Sequence, residues 1–304
     1  MMKVAIESYS GVVPAGARLS ILIPSWNNLP YLKLCVNSIR RYSTHPHQII
    51  VHVNDGSDGT LDWVREQQLD HTYSPENVGI CFAMNLGRTL VQTDYVAFMN
   101  DDMVVCPGWD TALLEEIAAL PDKYFFLSAT MLEPYPTNSK PVIAPADYGR
   151  EIEDFDEAKL LREFHQYEKA DWCGATRPPN VVHRDVWDLV GGYSVEFSPG
   201  FYSDPDFAMK LWQAGVRHFR GIGRSRVYHF VSKSLVRVQP NPGRRQFLKK
   251  WGMTSSTFTR LVLQLGKPYE EWTPPNPQDP VLRRAWRKNR FQQLFLPRTL
   301  PELQ

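Results

Sequence analysis

The stretch that decides the fold is Tyr95-Val96-Ala97-Phe98-Met99-Asn100-Asp101-Asp102-Met103, an apolar strand-forming run that ends in two adjacent carboxylates. Neighbouring acids at the exposed end of a buried strand repel each other and meet water on one side only, so they are costly unless a cation accompanies them. Asp and Asn oxygens are hard ligands suited to Mg²⁺ or Mn²⁺. Such ions usually arrive with substrate phosphates rather than in an all-protein cage. The competing reading is a polar turn that merely closes the strand.

Working outward, Leu19-Ser20-Ile21-Leu22-Ile23-Pro24-Ser25-Trp26-Asn27-Asn28 reads as a buried strand running into a polar loop with one aromatic ring. Gln48-Ile49-Ile50-Val51-His52-Val53-Asn54-Asp55-Gly56-Ser57 reads as a second strand, ending in an acid and a glycine turn. Pro75-Glu76-Asn77-Val78-Gly79-Ile80-Cys81-Phe82-Ala83-Met84-Asn85 leads into the helix before the Asp-Asp strand. In this order and spacing the segments resemble the nucleotide-sugar half of a family-2, GT-A-fold inverting glycosyltransferase, over roughly residues 18 to 235. The resemblance implies a Rossmann-like α/β fold with a mixed, mostly parallel sheet flanked by helices.

Composition is consistent with that expectation. The chain has 304 residues, 43% hydrophobic and 22% charged, enough for one large core and an appendage. Its apolar runs are strand-length, so no transmembrane helix is expected, and no signal peptide is read before the first strand. These readings predict a cytoplasmic protein. The four cysteines are widely spaced and expected to be reduced and buried. The net charge of +1 conceals a basic tail: between Arg237 and Arg298 stand 13 Lys or Arg against 3 Asp or Glu, a local excess of +10. This shift predicts a catalytic domain over 1–235 and a basic, mainly helical extension over 236–304, with helices from Arg244 to Leu265 and from about Pro280 to Phe295.

In open α/β sheets ligands sit at the carboxyl ends of the strands. Pro24, Ser25, Trp26 and Asn27 would end one strand and Asp55 its neighbour. An aromatic face there can stack a base, and a carboxylate can accept the imide N–H of uracil or thymine, which favours a UDP- or dTDP-sugar. An Asx turn is the plainer reading of Asp55. The family likeness gives its matching acid the base contact. Asn77, Gly79 and Asn85 bracket a helix N-terminus that could offer N–H groups to sugar or phosphate oxygens, or could simply be capped. In the family pattern Asp101 faces the ribose and Asp102 ligates the metal, with Asn100 standing where the first acid of an Asp-x-Asp triad can occur.

Further on, Ser203-Asp204-Pro205-Asp206 opens a helix, with Asp204 expected just before it as its cap. The resemblance aligns Ser203-Asp204 with a Glu-Asp pair whose second acid deprotonates the acceptor, which makes Asp204 the expected general base and Asp206 an alternative base or acceptor contact. Ser203 departs from the usual Glu. His229 falls where many relatives place a metal-ligating His, against the alternative of a hydrogen-bonded core residue. Ser232-Lys233-Ser234 reads as a cationic loop over the diphosphate or a solvated turn. Trp172, Gly191, Gly192 and Tyr193 are expected to wall the acceptor side, because aromatic faces pack on sugars and glycines admit close approach.

Three function classes follow. The first is a metal-dependent inverting glycosyltransferase acting on a glycan or lipid-linked glycan. A nucleotidyltransferase would need a basic glycine-rich phosphate loop that Pro24-Ser25-Trp26-Asn27-Asn28 does not supply. A binding protein for nucleic acid or membrane would use the basic tail, but the acids and His229 count against that as the whole function, and no nucleic acid is expected. The apolar face Phe247, Leu248, Trp251, Phe258, Leu261, Val262 and Leu265 is expected to pack on the catalytic domain or on a second copy, with attachment to an anionic membrane as the alternative.

Overall fold

The computed structural model describes residues 6–231, 241–276 and 278–296. Among these described residues ten strands form one sheet: β1 (Glu7–Tyr9), β2 (Leu19–Trp26), β3 (Gln48–Asn54), β4 (Asp70–Ser74), β5 (Tyr95–Phe98), β6 (Met103–Val105), β7 (Phe125–Leu132), β8 (Trp172–Cys173), β9 (Asn180–His183) and β10 (His218–His229). Their spatial order is β1-β4-β3-β2-β5-β9-β7-β10-β6, with β8 paired to β10. The long ladders, β2 with β3 and β7 with β10, are parallel, as are β3 with β4 and β2 with β5. The fold is thus mixed α/β and mostly parallel, as the resemblance implies.

Helices cover both faces: α1 (Leu29–Tyr42), α2 (Thr60–Glu66), α3 (Gly79–Arg88), α4 (Trp109–Ala119), α5 (Glu157–Glu163), α6 (Arg184–Val190) and α7 (Ser203–Gln213). α1 shows why the sequence folds so. Leu32, Cys35, Val36 and Ile39 recur at helical spacing on the buried face, a proline sits in the first turn, and Arg40 and Arg41 meet the negative end of the dipole. One face of the sheet buries these residues with Ile21, Ile23, Val51 and Val53; the other buries Leu22, Ile50 and Phe98 with Trp187 and Phe207. All four cysteines are buried and none forms a disulfide.

The C-terminal extension shares that second core. Its expected helix from Arg244 to Leu265 is broken into α8 (Gly243–Trp251), stopped by Gly252 at φ 64°, and a helical turn Ser255–Thr257 that runs into a π-helical turn Phe258–Val262. Phe247, Phe258 and Val262 share one buried cluster with Trp187, Phe207 and Leu211, so that apolar face packs on the catalytic fold. A final helix, α9 (Pro280–Leu294), is capped by Asp279. Among the described residues no helix is long and apolar enough to cross a membrane. The region 133–168, to which the sequence assigns no role, packs Tyr148 and Phe155 against Tyr228 and Phe230 and so backs the end of β10.

Candidate active site

Strand direction explains what meets at the site. β2, β3, β5, β7 and β10 share one orientation, so Ser25-Trp26, Asn54-Asp55, Asn100-Asp101-Asp102, Glu133 and His229 all emerge at one edge. β9 is antiparallel to β5, with Asn180 opposite Phe98, so its leading residues Arg177 and Pro178 reach the same edge. A cavity of about 440 Å³ opens there, lined by Pro24, Ser25, Trp26, Asn54, Asn77, Gly79, Asn100, Asp101, Asp102, Glu133, Arg177, Asp204 and His229, among others.

Register sets the finer geometry. Met103 pairs with His229 and Leu132 with Tyr228, which brings Asp102 to one side of the imidazole and Glu133 to the other. His229 Nδ1 lies 2.8 Å from Glu133 Oε1 and Nε2 lies 3.4 Å from Asp102 Oδ1. Burial alone would depress the histidine, but the flanking Asp102 and Glu133 carboxylates outweigh it and raise its pKa to about 10. Asp101 is held from the neighbouring strand by Ser25 Oγ at 2.7 Å.

The donor set fits a divalent metal. With Nδ1 engaged by Glu133, Nε2 is turned toward Asp102, the carboxylate–histidine arrangement that orients metal-ligating imidazoles. The walls carry four carboxylates against Arg177 and His229, so an anionic diphosphate needs a cation to approach them. Among the described residues no group of three or more His, Cys, Asp or Glu forms a self-sufficient metal site. Asp102 and His229 would therefore hold an ion together with phosphate oxygens, the usual habit of Mg²⁺ and Mn²⁺.

Asp204 is the second residue of α7 rather than its cap; Tyr202, at φ 70°, holds the cap position. Its carboxylate lines the cavity, where desolvation raises its pKa to about 6 against the opposing pull of the Arg177 cation and a long hydrogen bond from Tyr193 Oη. A carboxyl tuned there is half-ionised at about pH 6 and mostly ionised at neutrality, so it can accept a proton.

Other expected positions lie elsewhere. Asp55 and Asn27 stand beside the cavity: Asn27 Nδ2 donates to Asp55 Oδ2 at 2.8 Å, and Ser57 N–H donates to Oδ1 in an Asx turn. Burial would raise the Asp55 carboxyl, but donors on Asn27, Ser57 and Trp26 bring it below its usual range. Two N–H groups at the N-terminus of α3 are already engaged, Gly79 N–H donating to Asn77 Oδ1 and Ile80 N–H to the Pro199 carbonyl. Asn77 lines the cavity with its Oδ1 engaged in this Asx turn just before α3. Asn85 is turned away: its amide exchanges two 2.8 Å hydrogen bonds with the Tyr193 backbone.

The expected acceptor wall is mostly core. Trp172 is 2% exposed, donates to Thr130 Oγ1 and lies on Gly221, where a Cβ would sit 1.8 Å from the indole. Gly191 ends α6 in the left-handed conformation, and Gly192 gives room to the Asn85 amide. Tyr193 is buried and stacked on Phe207. Asp206, fully buried, receives Trp251 Nε1 at 2.8 Å and pairs with Lys250 Nζ at 3.0 Å. It anchors the extension and lines no part of the cavity. Ser232-Lys233-Ser234 lies outside the described residues. Glu133 and Arg177 are cavity residues that sequence reading missed.

Residues 20–170 match the family described as glycosyl transferase family 2. Over 241 residues the chain is 26% identical to chondroitin synthase of Pasteurella multocida, covering 69% of this chain and 24% of that protein. The chain thus spans about a quarter of the length of this curated relative. Among solved structures it resembles GalNAc-T7 with UDP, GalNAc and Mn²⁺ (TM-score 0.56, 12% identity, 90% of this chain and 55% of the other). It also resembles TarS of S. aureus (TM-score 0.51, 13% identity, 79% and 40%). These likenesses extend the shared fold beyond the matched segment, and the chain belongs to glycosyl transferase family 2, with a GT-A fold.

Proposed function

We propose that the chain moves a sugar from a UDP- or dTDP-sugar to a hydroxyl of a glycan or glycolipid acceptor, with a divalent metal and with inversion, in the synthesis of a surface polysaccharide or glycoconjugate. The observation that carries this reading is that the Asp102–His229–Glu133 group and the desolvated Asp204 line one cavity. The chondroitin synthase match over 69% of the chain supports a polysaccharide product class.

The chemistry needs two things: neutralisation of charge on the departing diphosphate and removal of a proton from the attacking hydroxyl. A bound Mg²⁺ or Mn²⁺ supplies the first as a Lewis acid at the phosphate oxygens. Asp102 and His229 would hold that ion, with Glu133 fixing the imidazole and Ser25 keeping Asp101 oriented at the ribose side. Trp26 offers a face for the base, with Asp55 beside it as acceptor of the imide N–H. Asp204 takes the hydroxyl proton as the new glycosidic bond forms. With one base and no second group assigned as nucleophile, a single displacement inverts the anomeric carbon.

The test is a panel of nucleotide sugars with and without Mn²⁺, followed by release of nucleoside diphosphate and by the anomeric configuration of the product. Uridine or thymidine donors should be used in preference to guanosine or adenosine donors, and Asp55→Ala should erode that preference. Activity retained in chelator, or a product with retained configuration, removes the corresponding part of the proposal.

A further inference from the structure

The helix α9 carries an outward face that the other described residues do not cover. Its inner face is settled: Leu282 and Asn289 are each 4% exposed, Asn289 Nδ2 donates to Thr257 Oγ1 at 3.0 Å, and Gln293 Nε2 reaches the Lys249 carbonyl. At 100° per residue the opposite side holds Arg284, Arg287, Lys288, Phe291, Leu294 and Phe295. Phe291, Leu294 and Phe295 are 63%, 80% and 72% exposed, and the two phenyl rings meet edge to face at 4.9 Å. From Pro280 to Leu296 the sequence has five Lys or Arg and no Asp or Glu. Among the described residues none of the five forms an ion pair.

We propose that this face of α9 binds an anionic lipid surface, with Phe291, Leu294 and Phe295 entering the headgroup boundary and Arg284, Arg287 and Lys288 meeting acidic headgroups. The face asks for a partner that is apolar and negatively charged over the same few ångströms. A bilayer interface with acidic lipids is both, and a helix of this pattern lies in its plane. A second copy of the chain would bring the same cations into contact with themselves, which repel. A polyanion in water would pair the charges and leave three large apolar side chains exposed. The role passes from the tail segment 244–265, whose apolar residues are spent on the core, to the helix whose apolar residues are not. It does not depend on which sugar the cavity handles.

The experiment is flotation of the full chain with vesicles of phosphatidylcholine alone and of phosphatidylcholine with phosphatidylglycerol in a two-to-one mixture, at low and high salt. Binding is expected only to the mixed vesicles, and weaker in salt. A triple change of Phe291, Leu294 and Phe295 to Ser, and separately of Arg284, Arg287 and Lys288 to Gln, should each cut the bound fraction at least tenfold with the thermal melt unchanged. The apolar variant distinguishes lipid from simple charge attraction. The proposal is overturned if wild type fails to float on mixed vesicles, or if the Ser variant floats as wild type does. It is likewise overturned if the outward face proves to be an interface between copies, read as a dimer that the Ser variant dissociates.

Discussion

Lowering the pH from 7 to 5 should slow transfer roughly tenfold by protonating Asp204. With a pKa of about 6 the carboxyl is ionised to about 0.9 at pH 7, about 0.5 at pH 6 and about 0.1 at pH 5; at its ordinary 3.8 it would stay ionised to about 0.9 even at pH 5. The assay is kcat/KM for the acceptor against pH, at saturating donor, with metal binding measured separately in each buffer. Arg177→Gln and Tyr193→Phe should each move the acid limb to higher pH, because the cation and the phenol hydroxyl both favour the ionised form. Stability supplies a second readout. The folded pKa lies above the unfolded one, so the proton bound by the folded state contributes stability that is fully present below about 3.8 and lost as pH rises through 6. Two units correspond to at most about 3 kcal/mol, so Asp204→Asn should melt above wild type at pH 7 and the gap should close toward pH 4. An acid limb near 4, unmoved by both neighbouring variants, would refute the reasoning, and Asp204 would not be the base.

Glu133→Gln should weaken Mn²⁺ binding about 10- to 100-fold by loosening the His229 ring while leaving the melt near wild type, as titration calorimetry with the metal and nucleotide would read. Lys250→Met should destabilise by about 3 kcal/mol in denaturant unfolding, because it leaves the buried Asp206 carboxylate with the Trp251 N–H alone; a change under 1 kcal/mol would mean that the pair is not formed. Gly192→Ala should lose about 3 kcal/mol or fail to fold: its Cβ would lie 2.3 Å from Asn85 Oδ1, at a residue with φ +62°. Soluble Gly192→Ala protein with an unchanged melt would contradict that packing.

What the sequence displays and what it hides follow from how each residue reaches the cavity. The Asp101-Asp102 pair was legible because an apolar strand stops at it, and His229 because the family resemblance places a histidine there. Glu133 and Arg177 were not, since each is an unremarked polar residue beside a strand, and only the pairing of β7 with β10 and of β9 with β5 carries them to the same edge. The motif reading also spread too far along the chain. Residues two apart on a helix point about 200° from each other, so once Asp204 faces the cavity, Asp206 faces the core. Asn85 and Trp172 are polar or aromatic near a motif, yet one is occupied by the Tyr193 backbone and the other lies under β10. Proximity in sequence marks a site only when backbone geometry turns the side chain toward it.

The anchoring of Lys250 and Trp251 on Asp206 has an evolutionary consequence. Domain shuffling works where a boundary can be cut without disturbing either side, yet here the appended segment grips the same first turn of α7 that presents Asp204. A lineage that exchanged this appendage for another would have to rebuild the footing of its own base at the same moment. The tail is therefore expected to descend together with α7, with Asp206, Lys250 and Trp251 changing as a set, while the loop tips around the cavity remain free to drift toward new acceptors.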